Sequence, residues 1–242
     1  PWHRAGNCFT DDDLAFIELL FENHYGITSE KKILTALRVV ANSNGYHPVR
    51  EYLNHLDWAS TPRVRFALHH FLGAEISDLN EELLRLFMLG AVTRIFQPGC
   101  KFDMMLCLTG GQGAGKSSFF RFLAGNDEWF SDDLRRLDDE NIYRRMMGHW
   151  IIEMSEMIAT VNAKNVEEIK SFLSRQKDTY KVPYDKFPAD RPRQCVFAGT
   201  SNKLDFLPHD RSGNRRFLPI RIDPDKAEVH ILANQQTSRA YF

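Results

Sequence analysis

A glycine-rich segment at residues 110–117 carries the clearest chemical pattern in this sequence. It reads GGQGAGKS and fits G-x-x-x-x-G-K-[ST], with an apolar run before it and a helical pattern after it. Glycines let successive backbone N–H groups turn inward and cradle phosphate oxygens. Lys116 would then reach the β- and γ-phosphates, and the Ser117 hydroxyl would ligate Mg²⁺. The pattern predicts a site for ATP and Mg²⁺ formed by Gly110, Gly111, Gln112, Gly113, Ala114, Gly115, Lys116, Ser117 and Ser118.

Two glutamates lie within or just after a second apolar run, residues 150–154. Glu153 lies inside that run and Glu156 lies just after it. Phosphoryl transfer needs carboxylates opposite the phosphates, both to hold the metal and to orient water. An unpaired charge is costly to bury within a strand, and ligands bind at the carboxyl ends of strands in open α/β sheets. We therefore predict that Glu153 and Glu156 are catalytic or metal-binding; their spacing does not decide which one activates water.

Asn202 follows a third apolar run, residues 195–198. A polar side chain at this strand tip would hold the attacking water or sense the γ-phosphate, whereas the simpler interpretation is an asparagine that starts a turn. Asn202-Lys203-Leu204-Asp205 also spells N-K-x-D, the guanine-reading motif of GTPases. A GTPase needs D-x-x-G between the glycine-rich segment and N-K-x-D, and the only later match is residues 210–213. The sequence therefore favours ATP over GTP.

The first hundred residues are predicted to be helical. Capping signals at Thr10 and Ser29 precede two helical patterns, a third runs from Thr61-Pro62 to Gly73, and a fourth covers residues 77–96. Residues 97–99, Gln-Pro-Gly, break the pattern, so we place a domain boundary there.

Beyond that boundary, apolar runs alternate with helical patterns. The runs at 104–108, 150–154 and 195–198 predict buried parallel strands, and helices are predicted near 117–123 and 166–173. The fold class that follows is α/β with a mainly parallel sheet. The predicted domains are a helical N-terminal domain at 1–97, a P-loop core at 98–222 and a truncated C-terminal segment at 223–242.

Composition excludes several classes of protein. The net charge is −1, and no apolar run approaches the ~18 residues that would span a bilayer. The four cysteines are scattered without C-x-x-C spacing, which argues against a zinc site or a disulfide framework. These features predict reduced thiols and a cytoplasmic protein that does not enter a membrane.

Charge is nevertheless uneven. Between Lys170 and Arg193 there are seven basic residues against three acidic ones, and tyrosines lie among the lysines. Basic side chains that track a phosphate backbone and aromatic rings that stack on bases suit single-stranded DNA. A solvated loop is the alternative. The candidate DNA-binding residues are Arg175, Lys181, Tyr184 and Lys186.

Nine ordered segments resemble the virulence-associated protein E family. They are residues 47–50, 52–53, 57–58, 98–103, 112–117, 129–132, 153–156, 192–197 and 213–217. The family consists of P-loop proteins of phages and mobile genetic islands, similar to superfamily 3 replicative helicases and to poxvirus-type primase-helicases. The resemblance extends over most of the chain.

This resemblance implies an AAA+-like core, assembly into a homo-oligomeric hexameric ring, and ATP hydrolysis linked to single-stranded or forked DNA. It implies that Lys116, Ser117, Glu156 and Asn202 are Walker A, Walker B and sensor residues. Arg215 and Arg216 become candidates for an arginine finger, the group suited to the charge of a transferring phosphoryl. It also implies a DNA-gripping hairpin just before the sensor strand.

The function expected from these features is an ATP-dependent DNA motor of replicative helicase type from a phage or mobile element. The alternative is a nucleotide-dependent assembly protein that binds DNA or a partner without unwinding. A GTPase switch and a small-molecule kinase fit less well. The sequence does not separate the first two, because translocation is a property of the assembled ring.

Overall fold

The computed structural model describes residues 9–58, 60–134, 137, 142–154, 163–181, 187–203 and 214–242. Two compact units divide the chain, Pro1–Pro48 and Val49–Phe242. None of the helices within the described ranges combines the length and the apolar character needed to cross a membrane.

The first unit contains two helices, α1 (Asp11–Tyr25) and α2 (Glu30–Ser43). The capping box predicted at Thr10 is confirmed. Thr10 Oγ1 accepts a hydrogen bond from Asp13 N, and the Asp13 carboxylate accepts one from Thr10 N at 2.9 Å. Helix α1 ends at Gly26, whose φ of 65° lies in the left-handed region that favours glycine. Ser29 precedes α2 as predicted but makes no side-chain capping bond.

Three helices open the second unit: α3 (Pro48–Asn54), α4 (Arg63–Leu72) and α5 (Asp78–Phe96). Helix α3 was not anticipated from the sequence pattern. Ser77 caps α5 by accepting a hydrogen bond from Asn80 N at 3.2 Å, and Gly73 ends α4 in the left-handed conformation. The prediction of Pro62 as the first helical residue is wrong by one position, because its ψ of 69° is not helical and α4 begins at Arg63.

A five-stranded parallel sheet forms the centre of this unit. Its strand order is β2-β3-β6-β1-β7, and every pairing is parallel. Strands β4 and β5 pair with each other as a separate antiparallel hairpin. The strands are β1 (Met105–Thr109), β2 (Phe130–Ser131), β3 (Ile151–Glu153), β4 (Lys177–Tyr180), β5 (Ala189–Pro192), β6 (Val196–Ser201) and β7 (Phe217–Arg221). The predicted mainly parallel α/β sheet is confirmed, and β2 and β7 extend it.

Helices cover both faces of the sheet, which is why its strands are apolar on both sides. One face packs its alternate strand residues, such as Leu108 and Ala198, against α4 and α5 and against the helix that follows β1. The other face, which includes Cys107 and Phe197, packs against the helices that follow β2 and β3. These later helices are α6 (Lys116–Leu123), α7 (Ile142–Met146), α8 (Ala163–Leu173) and α9 (Gln235–Tyr241).

Helix α5 is tied directly to the sheet. The buried Arg94 guanidinium donates to the backbone oxygens of Cys195 and Phe102, each at 2.6 Å. Trp150 Nε1 donates to Ala91 O at 2.9 Å. The boundary predicted at residue 97 therefore does not coincide with the boundary between the compact units. The Gln-Pro-Gly break ends a helix, but the hydrophobic core continues across it.

The segment predicted as a separate C-terminal piece, 223–242, also packs on the second unit. The Phe242 ring lies 5.4 Å from that of Phe71 in α4 and 5.2 Å from that of Phe119 in α6. Ile231 is completely buried. Residues 49–96 and 223–242 therefore share one core with the sheet.

Candidate nucleotide-binding site

The glycine-rich residues 110–115, here called the phosphate loop, connect β1 to α6. Gly113 and Gly115 have φ values of 79° and 80°, in the left-handed region where other residues are strained. A Cβ atom on Gly115 would lie 2.5 Å from Ile231 Cγ2, and one on Gly110 would lie 2.6 Å from Ile222 Cγ1. A Cβ atom on Gly111 or Gly113 would meet nothing within 4 Å. The loop therefore has one side packed on the protein and one open side.

The Lys116 ammonium lies inside this loop. Its Nζ donates to Gly110 O at 2.8 Å, to Gly111 O at 2.6 Å and to Asn202 Oδ1 at 3.0 Å. Burial lowers the pKa of Lys116, and the negative charge of Glu153 acts against that change. Lys116 and Asn202 were predicted from separate motifs, and the structure brings them into direct contact.

Glu153 lies at the end of β3 and is completely buried. Its Oε1 accepts hydrogen bonds from Ser117 Oγ at 2.9 Å and from Thr200 Oγ1 at 2.5 Å. Within the described part of the chain, Glu153 Oε2 has no hydrogen-bond partner. Burial raises the pKa of Glu153, whereas the hydrogen bonds from Thr200 and Ser117 act to lower it. The structure thus brings Ser117 and Glu153 together.

Strand order explains why these groups meet. Strand β6 lies between β1 and β3, so the carboxyl ends of all three strands share one edge of the sheet. Glu153 pairs with Ala198 across β3 and β6. Thr200 is two residues further along β6 and hence on the same face of the sheet. Helix α6 packs over this face and places Ser117 above it.

A second acid lies at the same edge. Asp132 directly follows β2, the neighbour of β3, and its Oδ2 lies 3.5 Å from Arg121 NH2. The charge of Asp132 adds to the rise in the pKa of Glu153, and the charge of Arg121 opposes it. Sequence reasoning assigned no role to Asp132 or Thr200. The polar tip of β6 was a signal for Thr200, but its contact with Glu153 depends on the strand order.

Residues 53–240 match the sequence model of the virulence-associated protein E-like domain. The chain belongs to this family. The family resemblance predicted from the nine ordered segments is therefore confirmed. No curated protein matches the chain.

Two solved structures resemble this member of the family. The apo structure of the NrS-1 C terminal region (305-718) is 20% identical with a TM-score of 0.47, over 68% of this chain and 39% of that chain. The A form apo structure of the NrS-1 C terminal region is 15% identical with a TM-score of 0.47, over 74% of this chain and 50% of that chain. This chain therefore spans half or less of the length of these two structures.

Two of the predicted site residues lie at the amino-terminal ends of the strands, away from the phosphate loop at the carboxyl ends. Arg215 and Arg216 directly precede β7, whose first residue pairs with Met105 at the start of β1. Arg216 Nε donates to Asp103 Oδ2 at 3.1 Å and to Ser174 Oγ at 3.0 Å, whereas Arg215 is exposed. The structure does not bring either arginine to the phosphate loop of its own chain.

The described residues of the basic stretch include the end of α8 and the strands β4 and β5. Arg175 NH1 donates to Tyr143 Oη at 3.2 Å, and Lys181 is exposed just after β4. Arg193 is buried at the base of the hairpin, where it forms two hydrogen bonds to Asp178 at 2.6 and 2.9 Å. Lys170 is also buried. Two of the seven basic residues of the stretch, neither of them a predicted DNA-binding residue, are therefore buried in the fold.

Three predicted site residues, Glu156, Tyr184 and Lys186, lie outside the described residues. The same holds for Asp205 of the N-K-x-D motif. A contact that the sequence did not suggest involves His230, in the segment after β7, whose Nε2 lies 3.2 Å from Gly113 O.

Proposed function

We propose that this chain binds and hydrolyses ATP with Mg²⁺ and acts as a DNA motor of replicative helicase type in a phage or mobile genetic element. One observation carries the proposal. At a single edge of the sheet, Lys116 contacts Asn202, and Ser117 contacts the buried Glu153. These four side chains come from three separate segments of the proposed AAA+-like P-loop core, and each would have a distinct task in phosphoryl transfer.

The phosphate groups of ATP would occupy the open side of the phosphate loop, at Gly111 and Gly113. The start of α6 adds backbone N–H donors and the positive end of its dipole. The partners of Lys116 are two backbone oxygens and a neutral amide. An anionic phosphate is a stronger partner for an ammonium than any of these, so binding exchanges weaker contacts for stronger ones.

A magnesium ion fits the donors at this edge. Ser117 and Glu153 offer a hydroxyl and a carboxylate, the hard oxygen ligands that Mg²⁺ prefers. Glu153 Oε2 is buried without a hydrogen bond from any described residue, and such a group is costly unless a ligand satisfies it. When bound, Mg²⁺ would neutralise charge on the phosphate oxygens. Ser117 can keep donating its proton to Glu153 while its oxygen faces the metal.

The two predicted glutamates would then have different roles. Glu153 is held beside the metal-binding serine, so we assign it to the metal. We assign Glu156, three residues further along, to orienting and polarising the attacking water. Asn202 already reaches Lys116 and is placed to link the γ-phosphate with that water.

The arginine finger would come from a neighbouring subunit. The five residues of β7 span about 16 Å at ~3.3 Å per residue, which separates Arg215 and Arg216 from the phosphate loop of their own chain. Arg216 is held by Asp103 and Ser174, so the exposed Arg215 is the better candidate. A homo-oligomeric ring, which the family resemblance implies to be hexameric, would place this arginine at the next active site.

DNA would bind along the β4–β5 hairpin. Lys177 and Lys181 are exposed there, and Lys177 pairs with Asp190. The Tyr180 ring is already stacked on Tyr143 and contacts the Arg191 guanidinium, so Tyr180 is not the ring proposed to bind a base. Lysines suit a phosphate backbone, and the tyrosine predicted among them, Tyr184, suits an unpaired base, so single-stranded or forked DNA is the proposed partner.

Two alternatives use the same site differently. A nucleotide-dependent assembly protein would need the same phosphate loop but would not move along DNA. In a GTPase, Asn202 would face the guanine base rather than the phosphates. The contact between Asn202 and Lys116 supports a role for Asn202 beside the phosphates rather than the base, which favours ATP.

A comparison of wild type with Lys116→Ala tests the proposal. We expect Mg²⁺-dependent ATP binding and hydrolysis, stimulated by single-stranded DNA, and loss of both in the variant. Absence of Mg²⁺-dependent nucleotide binding in the wild type would refute the site. ATP hydrolysis with no response to DNA and no strand separation would favour the assembly protein. Binding of GTP as tightly as ATP would favour the GTPase.

A further inference from the structure

Glu153 is held by two hydroxyl groups of different origin. Ser117 lies in the first turn of α6, next to the phosphate loop, whereas Thr200 lies within β6 in the interior of the sheet. Both donate to Oε1 of the same carboxylate, at 2.9 and 2.5 Å. The second oxygen, Oε2, has no hydrogen bond from the described residues. Two donors on one oxygen thus leave the other oxygen available.

The two hydroxyls differ in how firmly they are placed. Thr200 is 6% exposed, and its backbone is paired in the centre of the sheet, where it lies opposite Leu108 of β1. A threonine also has few accessible χ1 rotamers, because its Cβ is branched. Ser117 follows a loop that must reorganise when Lys116 exchanges its partners for a phosphate. The hydroxyl of Thr200 is therefore the fixed donor and that of Ser117 the adjustable one.

We propose that Thr200 is the positioning residue for Glu153, holding Oε1 so that Oε2 is directed to the Mg²⁺ that accompanies the nucleotide. The inference rests on the proposed nucleotide function and adds a residue to it. Without the Thr200 hydroxyl, the carboxylate keeps only the bond from Ser117 and can rotate about its terminal torsion. Mg²⁺ binding would then have to restrict this rotation, which would lower the affinity for Mg²⁺.

A purely structural hydroxyl would behave differently. It would contribute to folding stability and would weaken nucleotide binding with and without metal to the same extent. A positioning hydroxyl affects the Mg²⁺ requirement and leaves metal-free nucleotide binding unchanged. Comparing the Mg²⁺ requirement with metal-free nucleotide binding therefore separates a positioning role from a structural one.

The experiment uses Thr200→Val, which keeps the shape and removes the hydroxyl, and Thr200→Ser, which keeps the hydroxyl. Binding of a fluorescent, non-hydrolysable ATP analogue is measured in EDTA and during a Mg²⁺ titration, and thermal unfolding checks the fold. Loss of a hydrogen bond to a charged group lowers a binding affinity by about tenfold or more. Thr200→Val should therefore need at least about tenfold more Mg²⁺ to reach half of the Mg²⁺-dependent increase in analogue binding. Thr200→Ser should retain most of the wild-type response, and all three proteins should bind the analogue equally in EDTA.

Glu153→Gln serves as the positive control and should shift the Mg²⁺ requirement at least as far. A Thr200→Val protein with the wild-type Mg²⁺ requirement, or a Thr200→Ser protein as impaired as Thr200→Val, would overturn the inference alone. If Thr200→Val does not fold, Thr200→Ala is measured instead, with the same shift expected. A wild-type protein without Mg²⁺-dependent nucleotide binding would overturn the proposed function and this inference together.

Discussion

Neighbouring arginines at the start of β7 allow a matched test of active-site sharing. Arg216 is bonded to Asp103 and Ser174, and the side chains of Arg216 and Asp103 are only 23% and 21% exposed. Arg215 is exposed, so its replacement by alanine should change stability by less than about 0.5 kcal/mol. Arg216→Ala should cost about 1–3 kcal/mol, since it removes the hydrogen bonds to Ser174 and to the partly buried Asp103 carboxylate, which keeps only the longer contact with Lys101 at 3.5 Å.

These costs convert into measurable shifts. For a domain of about this length, each kcal/mol lowers Tm by about 2–4 °C, so Arg216→Ala should lower Tm by about 2–12 °C. Arg215→Ala should leave Tm unchanged but lower the ATPase rate of the assembled protein by about 10³–10⁵, the contribution of an arginine finger. Thermal unfolding and ATPase rates measured against protein concentration provide both readouts. The wild-type rate should rise more than linearly with concentration, because a monomer would lack the finger.

Subunit mixing completes this test. Lys116→Ala subunits should fail to bind ATP but keep Arg215, whereas Arg215→Ala subunits should bind ATP but lack the proposed finger. A mixture that co-assembles should recover part of the activity. A fully active monomer, an unimpaired Arg215→Ala, or no recovery in a mixture shown to co-assemble would refute sharing.

Three further predictions follow from the site and the hairpin. Lys116→Ala should abolish Mg²⁺-dependent ATP binding in an equilibrium binding assay, because it removes the ammonium at the centre of the phosphate loop; unchanged affinity would contradict this. Glu156→Gln should bind ATP normally and lose turnover, since the amide no longer polarises water; wild-type turnover would transfer that role to Glu153 or to another residue. Lys181→Ala combined with Lys186→Ala should weaken binding of single-stranded DNA and flatten the dependence of log K on log salt; an identical slope would exclude this segment from the DNA path.

Local patterns explain what could be read from the sequence. The phosphate loop and the three central strands are continuous in the chain, and a buried parallel strand is apolar along its whole length. Strand β2 has only two residues, and β4 has buried Asp178 between two exposed residues. Neither has a hydrophobic pattern to detect, so the residue pattern predicted neither strand, and the hairpin was expected only from the family resemblance.

Long-range contacts explain what could not be read. Glu153 contacts Ser117 and Thr200 only because β6 lies between β1 and β3. The strand order cannot be predicted from the sequence of any single segment. Likewise, Arg215 and Arg216 look equivalent in sequence. Asp103, which lies 113 positions before Arg216, distinguishes them in the structure.

The packed side of the phosphate loop limits how the site can respond to a nucleotide. Gly115 rests against Ile231, Gly110 rests against Ile222, and neither glycine leaves room for a single added carbon atom. Gly111 and Gly113 face open space. Reorganisation around a phosphate is therefore confined to the open side, unless residues 222–231 move with the loop. The chain after β7 thus supports the phosphate loop and shares a core with the sheet, although residues 223–242 were predicted as a separate C-terminal segment.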